Sequence, residues 1–153
     1  MSRFDDAVDA LSHLNSREFG YLLSATRHAV NLADPAQRHE IQNALEQLVQ
    51  GLAIVYLFAI FEDFFAIDEI KNKHSTLDEY LAYRHIRHSF AHKPLGKRAK
   101  MHRVEFEKLI NTGNLDHLLT WNHSADSIHL KSGIVEQIRE FLVNSVAQIA
   151  NHV

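Results

Sequence analysis

Apolar residues recur at three- and four-residue spacing along most of the chain, a pattern that predicts helices with one buried face. The spacing indicates a short first helix over residues 4–14. Asn15, with Glu18 three residues later, has the pattern of a capping box, so we expect a second helix to begin there and to reach about Leu32. A last amphipathic helix is predicted over residues 134–150.

A long helical pattern fills the middle of the chain, from Pro35 to about Lys73. Asp34 and Pro35 are the residue types of an N-cap and a first helical position, so we expect the helix to begin there. An unbroken helix of this length would extend about 58 Å, and Gly51 is where we expect it to bend.

Residues 52–61, inside this pattern, are apolar on every side. A helix that is apolar all round has to be covered all round. Ten residues are fewer than the roughly 20 that a membrane-spanning helix needs. We therefore expect the cover to come from other helices and from a second subunit, with no membrane involved.

The second half of the chain alternates helical and strand patterns. A capping signal over residues 75–79 opens a helix that Pro94 stops. A basic connector and a short helix around residues 104–110 follow. Apolar residues then fall at strand spacing over residues 118–130, around a polar turn at 122–126, which predicts a small hairpin. The fold class predicted is all-α: an up-and-down helical bundle with one β-hairpin before the C-terminal helix.

Composition agrees with one helical domain spanning residues 1–153. Hydrophobic residues make up 46% of the chain, and two prolines and five glycines leave few helix breakers. There is no cysteine, which excludes disulfides and cysteine-based zinc sites. Residues 1–6 lack the apolar run of a signal peptide, so we expect a cytoplasmic protein.

The charge is unevenly distributed. Residues 84–103 contain seven Lys or Arg, four His and no Asp or Glu. The remainder of the chain, with nine basic and 19 acidic residues, carries −10, although the whole chain carries only −3. Such a concentration of positive charge in a mildly acidic protein predicts a local anion-binding region.

The helix that ends before Pro94 carries Arg87, His88 and His92. At about 100° per residue, His92 lies roughly 40° from His88, so one face holds a permanent cation and two imidazoles. Arginine matches phosphate oxygens, and histidine, with a pKa near 6.5, is suited to proton transfer. A face of this kind is directed to water, a ligand or another subunit.

The run Arg87-His88-x-x-x-His92 resembles the Arg-[Asn/Asp/His]-x-x-x-His motif of HEPN domains (higher eukaryotes and prokaryotes nucleotide-binding). The motif follows a long apolar helix, and this layout resembles HEPN sequences over most of the chain. The superfamily is all-helical, and many members are metal-independent endoribonucleases of toxin–antitoxin, abortive-infection and CRISPR defence systems. The resemblance implies an RNA-cleaving enzyme without a cofactor, with a toxin, defence or stress role.

The resemblance also implies roles for individual residues. His92 corresponds to the catalytic histidine, Arg87 to the phosphate clamp, and His88 to the polar position that orients or assists the site. An acidic residue on the preceding helix often supports the motif, and Glu62 and Asp63 are the candidates. In the family the motif helices of two protomers commonly meet across a two-fold axis, so a homodimer with a composite cleft is expected.

The remaining basic residues of the window are expected to bind RNA phosphates. They are Arg84, Lys93, Lys97, Arg98, Lys100 and Arg103. An antitoxin or another defence-system protein is the further partner that the family suggests. Some HEPN toxins have a tyrosine where this chain has Pro94, so membership of that subgroup, with its nucleotidyltransferase antitoxin, is not implied.

The same residues are compatible with three other interpretations. His85, His88 and His92 lie on one helical stripe and have the residue type that holds zinc, although Arg84 and Arg87 would repel a dication. The stripe is also compatible with an exposed polar surface that has no ligand. The third alternative is a non-catalytic HEPN module that binds RNA or a protein partner.

Overall fold

The computed structural model describes residues 2–13, 16–73, 77–91, 103–111, 115, 117–122 and 127–151. Within these ranges the chain is mostly helical, with one two-stranded antiparallel hairpin, as the sequence predicted. The helices are α1 (Arg3–Ser12), α2 (Ser16–Val30), α3 (Arg38–Phe64), α4 (Ile67–Lys73), α5 (Leu77–Ala91), α6 (Arg103–Asn111) and α7 (Ile134–Ala150). The strands are β1 (Leu119–Asn122) and β2 (Ser127–Leu130).

Helix α3 lies at the centre of the fold and packs against α1, α2, α5, α7 and strand β2. Its core face is apolar and fully buried at Ile54, Leu57, Phe58 and Phe61. Helix α7 presents the buried side predicted for it, with Ile138, Leu142, Val146 and Ile149 in the same core. One hydrophobic core therefore joins the first and last helices of the chain.

The central helical pattern is interrupted at a different place from the one expected. Helix α3 continues through Gly51 and ends at Phe64, where Phe65 adopts an extended conformation. Phe65 is buried, and its ring lies 5.9 Å from that of Phe4 on α1, with the Arg3 guanidinium 5.0 Å above it. Because this packing against α1 fixes Phe65, the chain turns there and resumes as α4.

The start of α3 is also later than expected. Asp34 does not cap the helix; its Oδ1 accepts a hydrogen bond from the backbone N–H of Ala36 at 3.0 Å, which forms a local turn. The helix begins at Arg38. The Arg38 side chain donates to the carbonyl oxygens of Ala33 and Asn31, at 3.1 Å and 2.9 Å, and ties the turn to the new helix.

The hairpin is attached to α3 through two glutamine side chains. The strands pair from Leu119 with Leu130 to Asn122 with Ser127. The Gln47 amide donates to the carbonyl of Leu130 and accepts from its N–H, both at 2.7 Å, and the buried Gln50 donates to the same carbonyl at 3.4 Å. The outer edge of β2 is thus hydrogen-bonded to a helix side chain as if to another strand.

The outer face of α3 is not covered within the described residues. Leu52 and Tyr56 are 53% and 51% exposed, so other helices cover only part of the apolar stretch 52–61, and its cover by a second subunit stays a prediction. By length and composition α3 is also apolar enough to cross a membrane, with a mean hydropathy of 1.7 over 18 residues. A buried core helix meets the same criteria of length and composition, and the inner face of α3 lies in the hydrophobic core.

The capping signal at 75–76, the basic connector before α6 and the hairpin turn at 123–126 lie outside the described residues. The capping-box pair of Asn15 and Glu18 does so in part, because residue 15 and the side chain of Glu18 are not described.

Candidate anion-binding site between α3 and α5

Helix α5 packs its apolar face on α3 and leaves a polar face beside the contact. Tyr80, Tyr83 and Ile86 are buried. The Tyr80 ring lies 5.7 Å from that of Phe58 and 5.6 Å from that of Phe61, which fixes the rotation of α5 about its axis. Residues at four-residue spacing from Tyr80 then share one face. Those residues are Arg84 and His88, and Arg87 lies next to them.

Glu62 of α3 contacts the side chains of this polar face. Its Oε1 accepts a hydrogen bond from the Tyr80 hydroxyl at 2.9 Å and from Arg84 Nε at 2.6 Å. Its Oε2 lies 3.8 Å from Arg87 Nη2, an ion-pair distance that is too long for a hydrogen bond. One carboxylate therefore faces two guanidinium groups across the contact between the helices.

The surroundings change the protonation behaviour of these groups in consistent directions. Burial raises the pKa of Glu62, but the hydrogen bonds from Arg84 and Tyr80 and the charges of Arg84 and Arg87 outweigh it, so the net pKa is lowered. Burial and the neighbouring Glu62 charge raise the pKa of Tyr80. The hydrogen bond to Glu62 raises the pKa of Arg84. Glu62 is thus ionised and Tyr80 is a neutral donor at physiological pH.

Arg84 also contacts the imidazole one turn further along α5. Its Nη1 lies 2.9 Å from Nε2 of His88. Arg84 is therefore held from two sides, by a carboxylate on α3 and by a ring nitrogen on its own helix.

Arg87 is held more loosely than Arg84. Its side chain is 23% exposed, and within the described residues its buried Nε has no hydrogen-bond partner. Among the described residues, its side chain makes one polar contact, the 3.8 Å ion pair with Glu62. A guanidinium group has five N–H donors, so Arg87 keeps donors for a ligand.

The structure brings some of the predicted site residues together. Arg84, Arg87, His88 and Glu62 form one cluster, whereas the exposed side chain of Asp63 makes no ion pair or hydrogen bond with another described residue. Of the two candidate acids, Glu62 is therefore the one in contact with the motif helix.

Most of the other predicted site residues are not described by the structure. His92, Lys93, Lys97, Arg98 and Lys100 lie outside the described residues, and Arg103 is the first residue of α6. Among the described residues no group of three His, Cys, Asp or Glu is arranged to hold a metal ion. The histidine triad that includes His92 falls outside that comparison.

Tyr80 is the residue of the cluster that sequence reasoning missed. A buried tyrosine in an amphipathic helix is normally interpreted as core. The available signal was its position four residues before Arg84 and eight before His88, which places all three on one face of the helix.

No protein-family model, curated protein or solved structure matches this chain. The geometry defines a helical protein with a half-buried, positively charged cluster between two helices.

Proposed function

We propose that this chain is a HEPN-type, metal-independent endoribonuclease that cleaves RNA by attack of a 2′-hydroxyl, with Arg87 and His92 in its active site. A toxin, defence or stress role in the cytoplasm belongs to the same proposal. It rests on the motif at residues 87–92 and on the state of Arg87 in the structure.

The observation that carries the proposal is the excess positive charge around Glu62. Two guanidinium groups share one carboxylate, and among the described residues both hydrogen bonds from these arginines are made by Arg84. A half-buried cation with unused donors is costly to the isolated protein. An anion at Arg87 would offset that cost, and a phosphate matches the guanidinium donors in a bidentate manner.

RNA phosphate chemistry uses these groups as follows. A histidine takes the proton from the 2′-hydroxyl, and the 2′-oxygen bonds to phosphorus. The bond from phosphorus to the 5′-oxygen breaks, and that oxygen receives a proton from a general acid. The products are a 2′,3′-cyclic phosphate and a free 5′-hydroxyl. Arg87 stabilises the charge on the phosphoryl oxygens, and His92 transfers the protons.

Two copies of His92 would supply the base and the acid if the protein is a homodimer with its motif helices at the interface. One imidazole begins neutral and the other protonated, and they exchange states in each cycle. The exposed apolar face of α3 supports a second copy as the partner, since Leu52 and Tyr56 are exposed in the part of the chain that the structure describes.

The basic residues between α5 and α6 would hold the RNA strand. Lys93, Lys97, Arg98, Lys100 and Arg103 contribute five positive charges over eleven residues. Binding by such a segment releases counterions from phosphates, so affinity is expected to fall steeply as salt is raised.

The test is to incubate the purified protein with an RNA and with DNA of the same sequence, each with and without a chelator. We expect RNA alone to be cut, with equal rates in chelator, to yield 2′,3′-cyclic phosphate and 5′-hydroxyl ends. Arg87→Ala and His92→Ala should each remove most activity, and His88→Ala should have a smaller effect. Cleavage of DNA, or loss of activity in chelator, would contradict the proposal.

A further inference from the structure

We propose that Arg84 is a positioning residue, which holds His88 as the neutral tautomer with its proton on Nδ1, and that Glu62 and Tyr80 hold Arg84 in turn. The importance of this arrangement for cleavage rests on the proposed function. The arrangement itself is a property of the folded protein and is measurable without RNA.

The donor and acceptor roles in the contact between Arg84 and His88 are fixed by chemistry. A guanidinium group has N–H donors and no acceptor. The 2.9 Å contact from Arg84 Nη1 therefore requires a lone pair on His88 Nε2. A histidine with a lone pair on Nε2 carries its proton on Nδ1, and a protonated ring would place an N–H against an N–H.

Arg84 is in turn fixed by groups on both helices. Its Nε donates to Glu62 at 2.6 Å, and the same carboxylate oxygen accepts from the buried Tyr80 hydroxyl at 2.9 Å. A guanidinium group is planar, so a short hydrogen bond at Nε also sets the direction of Nη1. Tyr80 thus positions Glu62, Glu62 positions Arg84, and Arg84 positions His88.

These contacts give the two arginines different roles. Arg84 has its donors directed to Glu62 and His88, whereas Arg87 makes only a 3.8 Å ion pair and keeps its Nε without a partner among the described residues. We assign phosphate binding to Arg87 and not to Arg84. His88, held neutral, orients the site, and proton transfer stays with His92.

The first experiment reads the tautomer directly, from the ring nitrogen chemical shifts of ¹⁵N-histidine-labelled protein. His88 is assigned by its loss in His88→Gln. We expect neutral His88 with its proton on Nδ1 in the wild-type protein. In Arg84→Gln, the signal should move toward the Nε2-protonated form that free neutral histidine favours. Arg27→Gln, which removes one exposed charge from α2, should leave it unchanged.

The wild-type spectrum decides the proposal even if Arg84→Gln does not fold. A wild-type His88 with its proton on Nε2, or with both nitrogens protonated at neutral pH, would overturn it. So would a folded Arg84→Gln whose His88 signals match those of the wild type.

Kinetics separate this proposal from the proposed function. If the protein cleaves RNA, Arg84→Gln should lower kcat by about tenfold, a part of the 10²–10⁴ that general acid–base catalysis supplies, with KM and the salt dependence of binding nearly unchanged. Arg87→Gln should instead weaken binding as well. A large rise in KM for Arg84→Gln would contradict the positioning role. Absence of cleavage by the wild type would contradict the proposed function and leave the tautomer result standing.

Discussion

Glu62 joins α3 to α5 through a charge that the surroundings keep ionised. It accepts hydrogen bonds from Tyr80 and Arg84 and lies beside Arg87. Because its side chain is only 19% exposed, these contacts are weakly screened. The carboxylate is therefore a stabilising element as well as a part of the candidate site.

Replacing Glu62 by Gln keeps the size of the side chain and removes its charge. Removing one partner of a fully buried ion pair costs about 3–5 kcal/mol, and for this partly exposed group we expect a loss of about 2 kcal/mol in the free energy of unfolding at neutral pH. Asp63→Asn, at the exposed neighbouring position, should change it very little. Urea denaturation of both variants measures the difference.

The effect of Glu62→Gln should also depend on pH. The pKa of Glu62 is lowered in the folded protein, despite burial, by Arg84, Tyr80 and Arg87. Its contribution is therefore present above the ordinary value of 4.5 and is lost as the pH falls below it and through the lowered value. Wild type and Glu62→Gln should converge in stability in acid. A gap that stays constant into acid would show that the charge is not the source.

At the residue scale, the sequence predicted those relative positions of side chains that helical geometry alone determines. The spacing placed Arg87 and His88 on one face of a helix, and the structure has both in the cluster around Glu62 and Arg84. It could not choose between Glu62 and Asp63, because that depends on which side of α3 faces α5. That rotation is set by packing of Phe58 and Phe61 on Tyr80, which links residues about 20 positions apart.

At the scale of elements, the helices and strands that are marked by local apolar spacing were predicted at nearly the right residues. Helix α6, helix α7 and the hairpin all lie where their apolar spacing indicated. The break at Phe65 had no such signal, since neither glycine nor proline is near it. It arises from contacts of Phe65 with Phe4 and Arg3 on α1, which no local pattern shows.

The attachment of the hairpin to α3 gives a prediction for one side chain. Gln47→Ala removes the two hydrogen bonds that Gln47 makes to the backbone of the buried Leu130, and leaves its carbonyl the longer one from Gln50. Leaving the Leu130 N–H without its side-chain acceptor should cost about 1–3 kcal/mol and speed hydrogen exchange of the Leu130 amide. Gln42→Ala, which removes a side-chain contact within α3, is the matched control. Unchanged exchange at Leu130 in Gln47→Ala would show that the hairpin does not depend on this contact.

At the scale of the whole molecule, the exposed apolar face suggests how two chains associate. Leu48, Leu52 and Tyr56 repeat every four residues on the outer side of α3 and are all exposed. Within the described residues, α3 has no charged residue from Gln47 to Phe61. A two-fold interface places the same patch of both chains in contact, so a face without charge is compatible with itself.

A stable dimer needs a larger area than this face of α3, so we expect the interface to include part of α2. A specific interface buries about 800 Å² on each partner, more than one stripe of a helix provides. Arg27 pairs with Glu46 at 3.6 Å, and the short connection makes α2 and α3 antiparallel. Tyr21, six residues before Arg27, is therefore level with Leu52, six residues after Glu46, and both are exposed.

We therefore expect a dimer that a single charge disrupts. Leu52→Lys should convert the protein to a monomer, because each chain would bury an unpaired lysine in a desolvated interface. Leu32→Lys is the control, since Leu32 is 81% exposed in the turn after α2. Light scattering at micromolar concentration gives the mass. A monomeric wild type would contradict the dimer and the composite cleft, whereas capture by lipid vesicles would indicate that the apolar face binds membranes.

The measurement that tests the central claim most directly compares one RNA with its 2′-O-methylated copy. Methylation keeps the phosphates and the helical form and blocks the nucleophile. We predict that the wild-type protein binds both and cleaves only the unmodified RNA, leaving a 2′,3′-cyclic phosphate, and that Arg87→Ala cleaves neither. Cleavage of the methylated RNA, or equal cleavage by Arg87→Ala, would contradict the account.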